Sequence, residues 1–231
     1  MTQKNSNQLS EELLLAMKMQ ADHLPLTKQL AAYSMDRLQA DLQKDTAKKA
    51  FWINIYNAYF LILRKIEKLD KPAIYRQKAV NIAGHDFSLD DIEHGILRKY
   101  RYKFSLGYLP NPFAPRMIKK LAVKKIDYRI HFALNCGAES CPPIAFYSAD
   151  HLDQELEMAT LSFLEGDTEV LSDKKEIHIS RLFLWFRGDI AGKRGIRRIL
   201  QEKLKVNASA YKLIYKEYEW EEDLNNFVEG I

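Results

Sequence analysis

The chain has 231 residues, of which 47% are hydrophobic and 29% are charged, a composition typical of a globular protein. Its 35 basic and 31 acidic residues leave a net charge of +4, which is too balanced to indicate a nucleic-acid partner. The longest apolar stretch, residues 50–63, is too short to span a bilayer, and residues 1–10 lack the apolar core of a signal peptide. These features predict a cytoplasmic protein with reduced cysteines that binds neither nucleic acid nor membranes.

Helical periodicity dominates the first third of the chain. Ser10 and Thr27 are the expected N-caps of the first two helices. Asp45 or Thr46 begins a third helix that is apolar on most sides, so we expect it to be the buried central helix of the fold. The predicted bounds of these three helices are about 11–24, 27–42 and 47–69.

Short helices and strands alternate through the remainder of the chain. Residues 88–91 match a capping box that begins a helix, and Ser148 caps an amphipathic helix that Gly166 closes. The predicted strands are 79–83, 169–171 and 176–179, and the further predicted helices are about 150–164, 182–186, 195–204 and 208–215. This order predicts a helix-rich α+β fold, in which the central helix packs against several helices and a small antiparallel sheet. Residues 1–44 would form a helical extension packed on a core domain of residues 45–231, within one compact unit.

Residues 129–143, with the sequence RIHFALNCGAESCPP, concentrate the reactive chemistry of the chain. Three chemistries suit this segment: a thiolate nucleophile with His131 as its base, a zinc site with His131, Cys136 and Cys141 as ligands, or a redox pair of the two cysteines. The structural alternative is two buried thiols that pack a tight proline turn. Gly137 is a typical helix stop and favours a helix that reaches Cys136.

Two other groups of polar residues share helix faces. Asn54 and Asn57 lie three positions apart on the central helix, where they either bind loop backbone or line a pocket and orient a histidine or a substrate. Asp90, His94 and Arg98 follow one another at one-turn intervals. Asp90 would then orient the imidazole while Arg98 presents a fork for an anion, or all three form ordinary surface charge pairs.

A last candidate group occupies residues 184–189, where an aromatic pair precedes an Arg-Gly-Asp turn. Trp185 is expected to pack in the core. Asp189 is expected to be either a third catalytic group or a cap of the turn.

Four blocks of the sequence together resemble the domain-of-unknown-function 547 family. They are AFWINIYNA (residues 50–58), SLDDIEHGILR (88–98), RIHFALNCGAESCPP (129–143) and SRLFLWFRGD (180–189). The aromatic tail at residues 218–225 is looser than the usual ending of that family. The resemblance implies a site built from Asn54, Asn57, Glu93, His94, Arg98, His131, Asn135, Cys136, Cys141 and Asp189, but it implies no reaction. A looser analogy connects the central helix to papain- and transglutaminase-like folds, although that helix offers asparagines where those folds place the catalytic cysteine.

The expected function is that of a thiol-dependent hydrolase or acyl transferase. Cys136 or Cys141 would be the nucleophile and His131 the base, and Asn57 or Asn54 would orient the base or donate to an oxyanion. The expected substrate-binding residues are Asn54, Glu93, His94, Arg98, Asn135 and Asp189. The alternative is a non-catalytic module that binds a small molecule or a peptide and has a structural Cys/His cluster. No cofactor is predicted, but a zinc ion bound by the Cys/His cluster is left open. The sequence indicates no oligomeric state.

Overall fold

A single apolar helix organises the fold. The computed structural model describes residues 4–228, and α4, Asp45–Leu61, lies at their centre with 14 of its 17 residues buried. This confirms the predicted buried central helix. A helix that is apolar on all sides is buried because it has no polar face that water could solvate. The α-helical hydrogen bonding stops at Leu61, and a π-helical segment, Ile62–Ile66, continues the helix for little more than a turn. Within residues 4–228, no helix combines the length and the apolar content needed to cross a bilayer.

Three helices precede the central one, with different limits from those predicted. They are α1, Ser6–Lys18; α2, Leu24–Ala31; and α3, Met35–Asp41. Asn5 caps α1 through a capping box with Gln8, so Ser10 lies inside the helix, where its hydroxyl donates to the Asn7 carbonyl at 2.7 Å. Ser34 accepts from the Arg37 N–H and begins a separate α3, which divides the single helix predicted over 27–42.

Shorter elements complete the chain. The further α-helices are α5, Ala73–Arg76; α6, Arg116–Leu121; α7, Leu152–Asp167; α8, Leu182–Trp185; and α9, Gly192–Leu204. A second π-helical segment spans Asp91–Leu97, and 3-10 helices span Lys103–Ser105, Tyr128–Phe132 and Ala208–Ala210. The strands are β1, Val80–Ile82; β2, His85–Phe87; β3, Glu169–Leu171; β4, Glu176–Ile179; and β5, Lys212–Tyr215.

The strands form two small sheets. β1 and β2 make an antiparallel hairpin, and β3 pairs antiparallel with β4. β5 pairs with the other edge of β4 in the parallel direction, so the second sheet is mixed, and not antiparallel as predicted. The helix predicted over 208–215 is therefore wrong. Its second half becomes β5, because the free edge of β4 offers backbone partners that local sequence periodicity does not reveal.

Two apolar cores meet at the reactive segment. The first surrounds α4 and includes Leu13 of α1, so the N-terminal helices share the core of the central helix. The second lies between α7, α9 and the mixed sheet and includes Cys141. Along residues 129–143, Ile130 belongs to the first core and Phe132 to the second. The segment therefore lies at the junction of the two cores.

Candidate functional site

A cavity of about 420 Å³ lies at this junction. Its walls are mainly aromatic and apolar side chains, with a few polar groups among them, as is common in small-molecule sites. Of the site residues that the family resemblance implies, Glu93, His94, His131, Cys136 and Cys141 line it. The other lining residues are Tyr56, Tyr75, Asp90, Lys103, Phe104, Leu106, Leu134, Leu182, Trp185, Phe186, Tyr218 and Trp220.

The reactive segment is a loop for most of its length. The 3-10 helix ends at Phe132, so the helix expected to reach Cys136 is wrong. Asn57 binds the loop backbone that a helix would otherwise have paired. Its amide donates to the Ala133 carbonyl at 2.9 Å and accepts from the Asn135 N–H at 3.0 Å. Gly137 then turns with φ at +70°, and a Cβ there would lie 2.6 Å from the ring of Phe60.

The three buried asparagines that the sequence singled out, Asn54, Asn57 and Asn135, bind backbone. Asn135 bridges the loop internally, by donating to the Pro142 carbonyl at 2.8 Å and accepting from the Gly137 N–H at 2.6 Å. Asn54 makes the same kind of pair of bonds with the backbone of Tyr147. Both amide ends of each side chain therefore bind backbone, and none of the three lines the cavity. The catalytic role expected for Asn57 and the substrate contacts expected for Asn54 and Asn135 stay predictions.

The two thiols lie side by side. Their sulfur atoms are 2.7 Å apart, and both cysteines are free. Cys141 Sγ also accepts from the Cys136 N–H at 3.1 Å and contacts the Tyr218 hydroxyl at 3.2 Å. Burial alone would raise the pKa of Cys141, but the hydrogen bonds from Cys136 and Tyr218 outweigh burial and lower that pKa below its ordinary value. With Cys141 as the thiolate, the Cys136 thiol is the donor in the pair; this bond and burial raise the pKa of Cys136.

His131 is fully oriented by its neighbours. Its Nε2 lies 3.0 Å from Asp189 Oδ2, and its ring stacks on Phe186 with centroids 3.7 Å apart and planes 7° apart. Burial lowers the pKa of His131, so the imidazole is neutral at pH 7 and Nε2–H donates to the carboxylate. Nδ1 is then an acceptor, and it has no hydrogen-bond partner among residues 4–228. Within that same range no hydrogen bond joins the imidazole to either sulfur.

Arg98 lies behind the cavity instead of facing it. Its side chain is 1% exposed, and Nε donates to Asp189 Oδ2 at 2.6 Å while Nη1 donates to His94 Nδ1 at 2.7 Å. The guanidinium neutralises a buried carboxylate of its own protein, and the anion-binding role expected for Arg98 stays a prediction. Asp189 is likewise fully buried and orients His131, and the substrate contact expected for it stays a prediction. His131 and Arg98 together hold the pKa of Asp189 below its usual value, although burial opposes them.

Glu93 and His94 come from the π-helical segment Asp91–Leu97, a type of helix that is frequent at functional sites. The His94 pKa falls to about 3, first because the ring is buried and then because Arg98 lies beside it. Glu93 accepts a long hydrogen bond of 3.4 Å from the Tyr56 hydroxyl.

The zinc ligand set suggested by the sequence does not assemble. In the part of the chain that the structure describes, no three or more histidine, cysteine, aspartate or glutamate side chains are grouped so that they could hold a metal ion. His131 directs Nε2 at Asp189, and the two sulfurs contact Tyr218.

Sequence reasoning missed the aromatic walls of the cavity. Trp185 was expected in the core, but it lines the cavity and packs against Tyr218 and Trp220 with ring centroids 4.8 and 5.8 Å away. The C-terminal tail reaches the cavity because Glu222 forms a β-bridge with Ala138 in the cysteine loop. The density of aromatic residues in the tail was the signal that could have placed it at a site.

Comparison with known proteins gives a family and no further relative. No curated protein and no solved structure matches the chain at a significant level. The family described as "Protein of unknown function, DUF547" matches residues 39–164, which is more than half of the 231 residues. That interval contains the blocks at 50–58, 88–98 and 129–143, whereas the block at 180–189 lies beyond it. The chain therefore belongs to the DUF547 family.

Proposed function

We propose that this protein is a thiol-dependent acyl hydrolase whose nucleophile is Cys141. One observation carries the proposal: the cavity that Cys141 lines also contains His131, an imidazole oriented by a buried carboxylate and left with one free acceptor nitrogen. A thiol of lowered pKa and an oriented base in one largely apolar cavity are the elements of nucleophilic acyl transfer.

Cys141 is favoured over Cys136 because of the direction of the hydrogen bonds. The backbone N–H of Cys136 donates to Cys141 Sγ. The Tyr218 hydroxyl, 3.2 Å from Cys141 Sγ and 3.5 Å from Cys136 Sγ, donates to Cys141 once that sulfur is a thiolate, and both bonds stabilise the thiolate. The Cys136 thiol supplies a third donor and keeps its own proton. Three donors on one sulfur replace the imidazolium that usually stabilises a catalytic thiolate.

Acylation would begin with attack of the Cys141 Sγ lone pair on a carbonyl carbon. The S–C bond forms as the bond from that carbon to the leaving atom breaks, and the leaving group departs with the electron pair. A neutral His131 has no proton to give to that group. Thioesters and aryl esters, whose leaving groups depart as stable anions, therefore fit this site better than alkyl esters or amides, whose leaving atom must be protonated as it leaves.

Deacylation is the step assigned to His131. Its Nδ1 would take a proton from water as the water oxygen bonds the acyl carbon, the C–S bond breaks, and the Cys141 thiolate forms again. The imidazolium then returns the proton to solvent. Asp189 acts as a positioning residue, because it fixes the tautomer that leaves Nδ1 free and stabilises the transient positive charge.

The test is mass spectrometry of the protein after reaction with a series of p-nitrophenyl esters and acyl thioesters. We expect one acyl group on Cys141, no acyl-enzyme in Cys141→Ser, and an acyl-enzyme in the matched variant Cys136→Ser. His131→Gln should still acylate but deacylate about 100-fold more slowly, and Asp189→Asn should accumulate the acyl-enzyme in the same way. Acylation at another residue, or equal turnover by Cys141→Ser, would end the proposal.

The second candidate is a non-catalytic module that binds an apolar small molecule or a peptide in the same cavity. The absence, among the described residues, of a hydrogen bond between His131 and either sulfur favours it. The double variant Cys136→Ser with Cys141→Ser separates the two candidates. A binding module keeps its ligand affinity in that variant and never forms an acyl-enzyme, whereas the hydrolase loses all turnover.

A further inference from the structure

The charged groups that line the cavity do not balance. They are the carboxylates of Asp90 and Glu93 and the ammonium of Lys103. Lys103 Nζ lies 2.7 Å from each oxygen of Asp90, so this pair is neutral as a unit. Among the lining groups one negative charge remains, on Glu93, before any thiolate is counted. Behind the cavity wall, Asp189 lies 2.6 Å from Arg98 and 3.7 Å from Arg101.

Glu93 has no cation of its own within residues 4–228. Its Oε1 lies 3.5 Å from His94 Nδ1, but that nitrogen already accepts a hydrogen bond from Arg98 and therefore carries no proton. The only donor to the carboxylate in the described range is the Tyr56 hydroxyl, at a long 3.4 Å. The side chain is 14% exposed, so water can satisfy its acceptors only in part.

The aromatic walls near Glu93 also favour a cation. Tyr56, Tyr75 and Phe104 line the same cavity, and the faces of such rings attract positive charge. Lys103 already places its ammonium 5.7 Å from the centroid of the Tyr75 ring. Burial raises the pKa of both Tyr56 and Tyr75, and the two cysteines and the Glu93 charge raise it further, so the carboxylate and the thiols lie around the same hydroxyls.

We infer that Glu93 is a specificity-determining residue that selects ligands in which a protonated amine adjoins an apolar or aromatic group. The amine would form a charge-assisted hydrogen bond with the Glu93 carboxylate while the apolar group fills the aromatic cavity. As a substrate class this rests on the proposed function, since the amine would then belong to the ester or thioester that Cys141 attacks. Recognition of the amine itself requires no thiol chemistry.

The experiment compares three probes of similar shape: phenethylamine, which is a cation at pH 7, phenethyl alcohol, which is neutral, and phenylacetate, which is an anion. Binding is followed by the fluorescence of Trp185 and Trp220, which line the cavity. We expect the amine to bind about tenfold more tightly than the alcohol, and the anion to bind more weakly still. Glu93→Gln should remove this preference, whereas Glu165→Gln, an equal change of net charge at an exposed position of α7, should keep it.

The preference between probes is measured within one protein, so the wild type alone can overturn the inference. In the wild type, equal binding of the amine and the alcohol, or no detectable binding of the amine, would overturn it. An unchanged preference for the amine in Glu93→Gln would overturn it as well. The double variant Cys136→Ser with Cys141→Ser should keep the preference for the amine over the alcohol, because Glu93 and not the Cys141 thiolate is its source. If the amine binds and no ester acylates Cys141, the hydrolase proposal fails while the assignment of Glu93 stands.

Discussion

The difference between the two cysteines arises from three neighbouring hydrogen-bond donors. Cys136 and Cys141 are five positions apart and share the same loop, yet the donors converge on Cys141. The Tyr218 hydroxyl is the donor whose removal leaves the loop intact, because it comes from the C-terminal tail. Burial and the neighbouring thiols raise the pKa of Tyr218, so it remains a protonated donor across the physiological range.

Tyr218→Phe should therefore raise the pKa of Cys141. Loss of one donor destabilises the thiolate relative to the thiol, so the pH at which Cys141 becomes reactive moves upward. The measurement is the rate of alkylation by iodoacetamide against pH, read for each cysteine by mass spectrometry. In the wild type the Cys141 profile should rise with an apparent pKa below the ~8.5 of a free thiol.

Tyr102→Phe is the matched control, because Tyr102 is 49% exposed and lies outside the cavity lining. Its alkylation profile should coincide with that of the wild type. A Tyr218→Phe profile that also coincides with the wild type would mean that the hydroxyl does not stabilise the thiolate.

At the scale of elements, Asn57 holds the cysteine loop against the central helix. The helix presents the amide at a fully buried position, and the loop supplies one carbonyl and one N–H that have no helix or sheet to join. The sequence placed Asn54 and Asn57 on one helix face and left open whether they bind backbone or line a pocket. Packing of the loop decided in favour of backbone, and local spacing carries no information about that packing.

Asn57→Ala should destabilise the protein by about 2–5 kcal/mol, because it leaves a buried carbonyl and a buried N–H without partners. Urea unfolding followed by circular dichroism measures the change. Asn207→Ala, at an exposed asparagine before a 3-10 helix, should change stability by less than about 0.5 kcal/mol. A loss below about 1 kcal/mol in Asn57→Ala would show that water or a shifted loop satisfies these groups.

For the molecule as a whole, buried neutral histidines couple stability to pH. The pKa of His94 is lowered to about 3 by burial and by Arg98, whereas an unfolded histidine titrates near ~6.5. Between these values the unfolded chain binds more protons than the folded one, so stability is complete above about pH 6.5 and declines as the pH falls. The pKa of His131 is lowered too, and the loss has the same sign.

The free energy of unfolding should therefore fall by roughly 2 kcal/mol between about pH 7.5 and about pH 5 on account of His94 alone. Urea titrations at the two pH values measure the fall. In His94→Gln the fall in unfolding free energy between the two pH values should be smaller by about 2 kcal/mol, even if the variant is less stable at both pH values. The control His151→Gln, at an exposed histidine, should show the same fall as the wild type. An equal fall in His94→Gln and the wild type would contradict a buried, neutral His94.

The sequence by itself determined the central helix, the helix-rich α+β class, the family and the segment that carries the reactive groups. These features follow from periodicity and from local residue types, which are properties of neighbouring positions along the chain. Tertiary structure alone decided that residues 133–143 are a loop, that 212–215 form a strand and that Arg98 is buried behind the cavity. It also paired His131 with Asp189, 58 positions away, and Cys141 with Tyr218, 77 positions away. Such partners are set by how the two cores pack against each other, and no local pattern in the sequence specifies that packing.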